Sequence, residues 1–284
     1  MKQRIFSGIF VVATVVIAFL SRLIDVRLFD VFAMALSLFS TLELIKIMGD
    51  RVTPLQKWLA IIFPLTIFPI AVFLRLFALV YAVAYFLLAL ILTVTTFKQK
   101  IVDGKPEPID FSGFGTLLLL LFYPTVPFTF LTLINGTLTL STFALLSVVV
   151  ISMASDILAY LFGSLLKGKQ LASAISPKKT LSGFIAGIIG SALTSVALYY
   201  VCVAFGYNPF FGLETFSVIF FLVITGVFFG LTSQVGDLFE SAIKRALLVK
   251  DTGTLIPGHG GLLDRADSFV FTAVAVYMIY SFLG

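Results

Sequence analysis

The chain alternates long apolar runs with short polar breaks along its whole length, and the runs approach the roughly 20 residues that a helix needs to cross a bilayer. In lipid, every backbone N–H and C=O must be satisfied within its own segment, so these runs predict helices. Nine spans are predicted, over residues 5–20, 28–45, 58–74, 76–97, 113–134, 140–160, 183–205, 216–232 and 269–283. The expected fold class is all-α: a polytopic membrane protein of about nine transmembrane helices without a soluble domain. The first run follows the basic Met1-Lys2-Gln3-Arg4, as in a signal peptide. Ser21-Arg22-Leu23 offers no small-residue cleavage site, and the run is read as a retained anchor. Pro64, Pro69, Pro124 and Pro127 are expected to bend the helices that contain them.

Composition agrees with lipid as the solvent. Hydrophobic residues make up 60% of the chain and charged residues 12%, which excludes an ordinary soluble domain. Basic residues accumulate on the cytoplasmic side of membrane proteins. With the N-terminus inside, all but Arg22, Arg27 and Arg75 of the 19 Lys and Arg residues fall inside, so an N-in, C-out topology is expected. The net charge of +5 is then a topology signal and gives no support to nucleic-acid binding. The single cysteine, Cys202, excludes an intramolecular disulfide and reads as a small buried hydrophobe.

Residues 1–150 carry no chemical motif and read as transmembrane scaffold and lipid contact. Asp30 and Glu43 lie within the second run, where an ionised group is costly and needs a polar neighbour. For Glu43, snorkelling from near the helix end is favoured over a functional role. The stretch 98–110 reads as an ordinary loop.

From residue 151 to 284 polar residues recur at the cytoplasmic ends of the runs, and this region is expected to be catalytic. Ser152, Asp156, Tyr160, Gly163 and Lys167 step by three or four residues, which puts them on one helical stripe. The following loop carries Lys167-Gly168-Lys169 and Ser176-Pro177-Lys178-Lys179-Thr180, whose ammonium and hydroxyl groups suit phosphate. The eighth run continues without a breaker to Arg245, with Ser233, Gln234, Asp237, Glu240, Ser241 and Lys244 within an arc of roughly 120°. Next come Lys250, Asp251 and Pro257-Gly258-His259-Gly260-Gly261, whose glycines would let backbone amides fold over phosphates. Asp264 and Asp267 are three apart, facing one way if a helix has begun.

Carboxylates beside lysines on one side of a membrane are what phosphoryl or nucleotidyl transfer needs. Hard cations bind carboxylate oxygens and bridge to phosphates, while lysines offset the charge of the leaving group. No GxxxxGK[ST] phosphate loop is present.

Ser241-x-x-Lys244-Arg245, Lys250-Asp251-x-Gly253, Pro257-Gly258-His259-Gly260-Gly261 and Asp264-Arg265-x-Asp267 together resemble the signature of the phosphatidate cytidylyltransferase (CDP-diglyceride synthase) family. Ser233-Gln234-x-Gly236-Asp237, Asp156-x-x-Ala159-Tyr160-x-x-Gly163, Gly168-Lys169 and Ser176-Pro177-Lys178-Lys179-Thr180 extend the likeness over about residues 155–268. One departure is that the family usually has an acidic residue shortly after the last of these runs, where this chain has Leu181-Ser182-Gly183.

The resemblance implies a nucleotidyltransferase of phospholipid biosynthesis that moves CMP from CTP to phosphatidate. It implies Mg2+ or another divalent cation, with room for a second cation of unknown identity, and is compatible with a homodimer among membrane lipids. Asp237, Asp264 and Asp267 are the expected metal ligands, with Asp156 and Asp251 next. Lys178, Lys179, Lys244, Arg245, Lys250 and Arg265 are expected to hold phosphates, helped by Ser176, Thr180, Ser241, Gly258, Gly260 and Gly261. For His259, a hydrogen bond to phosphate or to the loop backbone is favoured over a general base, because a phosphate monoester is already ionised near neutral pH. The absence of a soluble N-terminal extension points to a bacterial cytoplasmic (inner) membrane.

The rival from another class is a secondary transporter or channel, which also lines its path with intramembrane charge. The charges here gather at one face rather than at the midplane, and no inverted repeat is evident. A CDP-alcohol phosphotransferase lacks its closely spaced Asp-Gly and Ala-Arg pattern here. A CTP-dependent dolichol or phytol kinase would lack the long signature block.

Overall fold

The structure, a computed structural model, describes residues 13–94, 101–102, 105–106, 112–137, 140–255 and 260–283. It divides into two compact units, Met1–Thr132 with Thr252–Leu263, and Leu133–Asp251 with Asp264–Gly284. Nine α-helices are bounded at both ends among the described residues: α1 Val26–Met48, α2 Pro54–Phe73, α3 Ala78–Val94, α4 Ser112–Phe122, α5 Thr125–Thr137, α6 Ser141–Leu166, α7 Leu181–Ala204, α8 Thr215–Ala246 and α9 Leu263–Tyr280. Residues 13–21 are also helical, while most of the first predicted run lies outside the described residues. Seven helical stretches are long and apolar enough to cross a membrane, and the chain is an integral membrane protein. On α3, Leu79, Val80, Val83, Leu87, Leu88 and Ile91 are all exposed, a surface that only lipid makes stable.

Most predicted runs become single helices, with three differences. The run 113–134 is broken at Tyr123–Pro124 into α4 and α5. Of the prolines expected to bend helices, Pro64 and Pro69 lie inside a continuous α2, while Pro127 sits in the first turn of α5, where its missing N–H has no intrahelical partner to lose. The last run begins earlier than expected, at Leu263, and Asp264, Arg265 and Asp267 in its first turns keep α9 out of the seven apolar stretches. Two short antiparallel hairpins interrupt the all-helical plan. β1 Ile101–Val102 pairs with β2 Lys105–Pro106, and β3 Gln170–Ala172 pairs with β4 Ser176–Thr180.

In the first unit, α1 stops at Gly49, whose φ of +56° suits glycine. α2 then starts with a capping box: Gln56 N–H donates to Thr53 Oγ1 at 3.3 Å, and Thr53 N–H donates to Gln56 Oε1 at 3.1 Å. Phe63 stacks on Tyr85 at 4.8 Å between ring centroids, and the Tyr85 hydroxyl donates to the Leu59 carbonyl, joining α2 to α3. Glu43 does not snorkel. It is 4% exposed, and its carboxylate accepts the N–H groups of Leu262 and Leu263, both at 2.9 Å, because a charge buried in an apolar unit needs donors within it. Asp30 is likewise buried.

In the second unit, small residues let α6, α7 and α8 approach closely, as expected where lipid provides no hydrophobic drive between helices. A Cβ at Gly226 of α8 would lie 2.8 Å from Ala192 Cα of α7 and 2.9 Å from Ser195 Cβ. Gln234 Nε2 donates to the Phe184 carbonyl at 3.0 Å, and Ser152 Oγ donates to Thr272 Oγ1 at 3.0 Å, linking α8 to α7 and α6 to α9. Phe143, Phe221 and Phe229 surround the fully buried Tyr280 ring.

Gly226→Val is therefore expected to force α7 and α8 apart and destabilise the second unit by about 1–3 kcal/mol, read as a lower midpoint of thermal unfolding in detergent. An unchanged midpoint would contradict this close packing.

Candidate active site

The site grows from one helix with reversed polarity. On α8 the arc of Ser233, Gln234 and Glu240 is buried, while Leu231, Val235 and Phe239 are exposed. In water the polar arc of a helix turns outward, but here lipid surrounds the unit and the polar arc turns into it. Asp237, Ser241 and Lys244 continue the arc and are partly buried. Ser241 Oγ donates to Asp237 Oδ1 at 3.4 Å, one turn apart.

Two ion-paired clusters form along this arc. Lys244 pairs with Glu240 on its own helix, and its Nζ donates to Asp264 Oδ1 at 2.7 Å across to α9. The Glu240 and Asp264 side chains are 0% and 3% exposed. One turn earlier on α8, Asp237 pairs with Lys179 of β4 at 2.6 Å. Asp156 of α6 interacts with the charges of Asp237, Lys179 and Arg265 and with the Ser268 hydroxyl. Asp267, ahead of the apolar part of α9, accepts the Ser268 N–H at 2.7 Å. Burial, and then the charges of Asp237, Glu240 and Asp156, hold its carboxyl well above the usual range.

The β3–β4 hairpin is fixed to this group at both ends. Thr180 caps α7 by accepting the Gly183 N–H at 3.2 Å, and its hydroxyl meets Ser182 Oγ at 3.1 Å. Ser182 also accepts the Gly168 N–H at 3.3 Å, which ties the hairpin to the start of α7. Arg245 Nε donates to the Ile175 carbonyl in the hairpin turn at 3.1 Å. A cleft of about 430 Å³ opens between these parts. Asp156, Lys178, Lys179, Thr180, Gln234 and Asp237 line it, beside Ala159, Tyr160, Leu171 and Phe184. Asp156, Tyr160 and Gly163 of the predicted stripe all reach this cleft, whereas Lys167 ends α6 with φ of +44°.

Other expected site residues are less enclosed. Lys178, which lines the cleft, and Arg265 are exposed, as are Lys250 and Asp251, and Ser176 is half-buried at the start of β4. Gly260, with φ of +89°, and Gly261 belong to the first unit, while Gly258 and His259 lie outside the described residues. Three residues absent from the sequence-based site enter it. Glu240 pairs with Lys244, Gln234 lines the cleft and Ser268 meets Asp156. The four-residue step from Glu240 to Lys244 was the available signal for the first.

A divalent cation fits this donor set by chemistry and charge. Asp156, Asp237, Glu240, Asp264 and Asp267 offer hard oxygen, and the first four of these carboxylates interact with Lys179, Lys244 or Arg265. Among the described residues no three acidic, His or Cys side chains already converge as a metal cage, and lysine ammonium groups stand at Asp237 and Asp264.

Acidic and basic groups thus gather around an amphipathic cleft among helices long and apolar enough to cross a membrane. Residues 2–283 match the Cytidylyltransferase family, and the chain belongs to it. It is 42% identical over 126 residues to a phosphatidate cytidylyltransferase of Rickettsia bellii (strain RML369-C), covering 44% of this chain and 52% of that protein. It is 45% identical over 125 residues to one of Synechocystis sp. (strain ATCC 27184 / PCC 6803 / Kazusa), covering 44% and 38%, and 40% identical over 117 residues to one of Staphylococcus haemolyticus (strain JCSC1435), covering 41% of each. The chain thus spans about half the length of these relatives, or less.

Removing the ammonium while keeping the apolar stem, as in Lys244→Met, leaves Glu240 and Asp264 buried without their shared counter-charge. We expect a loss of about 3–5 kcal/mol in equilibrium unfolding in mixed micelles, with most of it restored in Lys244→Arg.

Proposed function

We propose that the chain transfers CMP from CTP to phosphatidate, forming CDP-diacylglycerol and pyrophosphate at the cytoplasmic face of a bacterial inner membrane. The observation that carries this reading is the meeting of Asp156, Lys179 and Asp237 in a cleft with apolar walls. Such a cleft can take a phosphate and the start of an acyl chain together. Family membership and the named relatives support the same chemistry. The concentration of basic residues on one side supports the orientation.

A phosphatidate oxygen attacks the α-phosphorus of CTP. The new P–O bond forms as the bond to the pyrophosphate oxygen breaks, and the electron pair leaves on pyrophosphate. No protein nucleophile is needed, because the attacking phosphate is already ionised. Lys178 and Lys179 on β4 hold phosphate oxygens, and Lys244 offsets the charge that grows on the leaving group. Asp237, Asp264 and Asp267, with Asp156 beside them, would hold Mg2+. The cation would supply charge neutralisation and Lewis acidity at the phosphates. Scaffold work falls to residues 1–150 and chemistry to 151–284. A transporter is disfavoured because the carboxylates of α8 and α9 lie in the last third of α8 and the first turns of α9, while Asp156 lies nearer the middle of α6.

Purified protein given CTP and phosphatidate with Mg2+ is expected to form CDP-diacylglycerol, and to lose activity on chelation. Labelled substrate accumulating in sealed vesicles without lipid product would favour transport instead. Asp264→Ala is expected to lose at least ~100-fold in kcat at saturating Mg2+. An active His259→Gln variant is expected to keep the wild-type pH–rate profile. A lost limb of that profile would assign His259 the role of a base.

A further inference from the structure

Glu43 has no part in the chemistry above, yet its carboxylate is tightly bound within the first unit. Both of its oxygens are engaged: Oε1 accepts Leu262 N–H and Oε2 accepts Leu263 N–H, each at 2.9 Å. Leu263 opens α9, so these donors belong to the helix start, where N–H groups lack intrahelical partners. The contact joins residues 219 and 220 positions apart in sequence.

Two glycines make room for it. A Cβ at Gly253 would come within 2.8 Å of Glu43 Cδ and closer still to Oε1, and one at Gly261 would lie 2.6 Å from Glu43 Oε2. Any side chain at either position would therefore displace the carboxylate. An apolar helix that carries a buried carboxylate, two charge-assisted backbone bonds and two close glycines has committed this residue to holding the backbone of Gly261, Leu262 and Leu263.

We propose that Glu43 is a positioning residue for the reaction: it fixes the peptide that leads directly into Asp264 and, one turn later, Asp267. This rests on the proposed cytidylyl transfer. Glu43 touches no substrate and acts through the backbone. Its removal should alter how the α9 carboxylates meet the cation and the leaving group rather than how lipid binds.

Glu43→Gln keeps size and one acceptor but turns an amide N–H toward a backbone N–H, breaking one of the two bonds. In the purified full-length protein it is expected to lower kcat by roughly 10- to 100-fold and to raise the Mg2+ concentration giving half-maximal rate, while KM for phosphatidate keeps its wild-type value. Gly253→Ala is expected to give the same pattern from the other side of the contact. Because the two share one interaction, Gly253→Ala added to Glu43→Ala should cost much less than Gly253→Ala alone.

Hydrogen exchange of the peptide covering 260–268 is expected to accelerate in Glu43→Gln. It reads the clamp without any turnover, so it still decides the clamp if the wild-type chain proves inactive and the proposed function falls. Faster exchange with unchanged kcat and Mg2+ dependence would overturn the positioning role. Unchanged exchange would overturn the clamp itself. A lower yield of folded protein with wild-type specific activity would reduce Glu43 to a structural residue and overturn the proposal.

Discussion

Lys244 stands between two carboxylates that have almost no contact with solvent, Glu240 one turn back on α8 and Asp264 at the start of α9. Taking such charges from water costs several kcal/mol for each ion, and only close pairing offsets it. The pairing therefore dictates which way both helices turn. α8 must direct its polar arc inward, and α9 must begin with its acidic turn against that arc. Once these are set, Leu231 and Val235 are left exposed toward lipid, while Phe239, partly exposed, packs its ring edge-on against Phe271 of α9. Lys179 and Asp237 extend the same constraint to β4, so the hairpin that carries Lys178 is held by charge as well as by the Thr180 cap. A fold stabilised for its own sake would have filled this space with apolar side chains. The retained charges are best understood by what they can exchange with.

Under the proposed function that exchange is direct. A lysine is a compact charge on a flexible stem, and its partner can change from carboxylate to phosphate with little backbone motion. Carboxylates released by their lysines are then free for a divalent cation, so substrate and metal would enter as one neutralising set.

The helices were legible because run length and backbone satisfaction in lipid leave one choice of secondary structure. A bend was expected at Pro124, but not that it would end one helix and start another, since Pro64 and Pro69 are tolerated within α2 and the apolar run around Pro124 has no polar break. The polar arc of α8 was legible as an arc, but not its direction, because periodicity is the same whether a polar face meets water or a buried site. Asp156, Lys179, Asp237, Lys244 and Asp264 were named from spacing and resemblance, and the structure brings them into two adjoining clusters. Glu240 was visible in the arc yet assigned no role, because an i,i+4 pair on a helix is ordinarily a surface ornament worth a few tenths of a kcal/mol. Its burial changes that. The need of Glu43 for a polar neighbour was legible but the neighbour was not, since its partners are backbone N–H groups on a distant segment and leave no side-chain pattern.

The kind of partner a buried carboxylate keeps separates these residues by role. Glu43 is bound by main-chain N–H groups and hemmed by Gly253 and Gly261, partners that cannot leave without unravelling a helix start. Asp237 and Asp264 are bound by lysine side chains, which can leave by rotating a stem. The first arrangement holds a backbone in place, and the second holds charge available for exchange. A chain that combines them has a fixed entry to α9 and, on α8 and in the first turn of α9, carboxylates whose partners can be replaced. That is the combination a nucleotidyl transfer site needs, because the ligands must be aimed before substrate arrives and uncovered when it does.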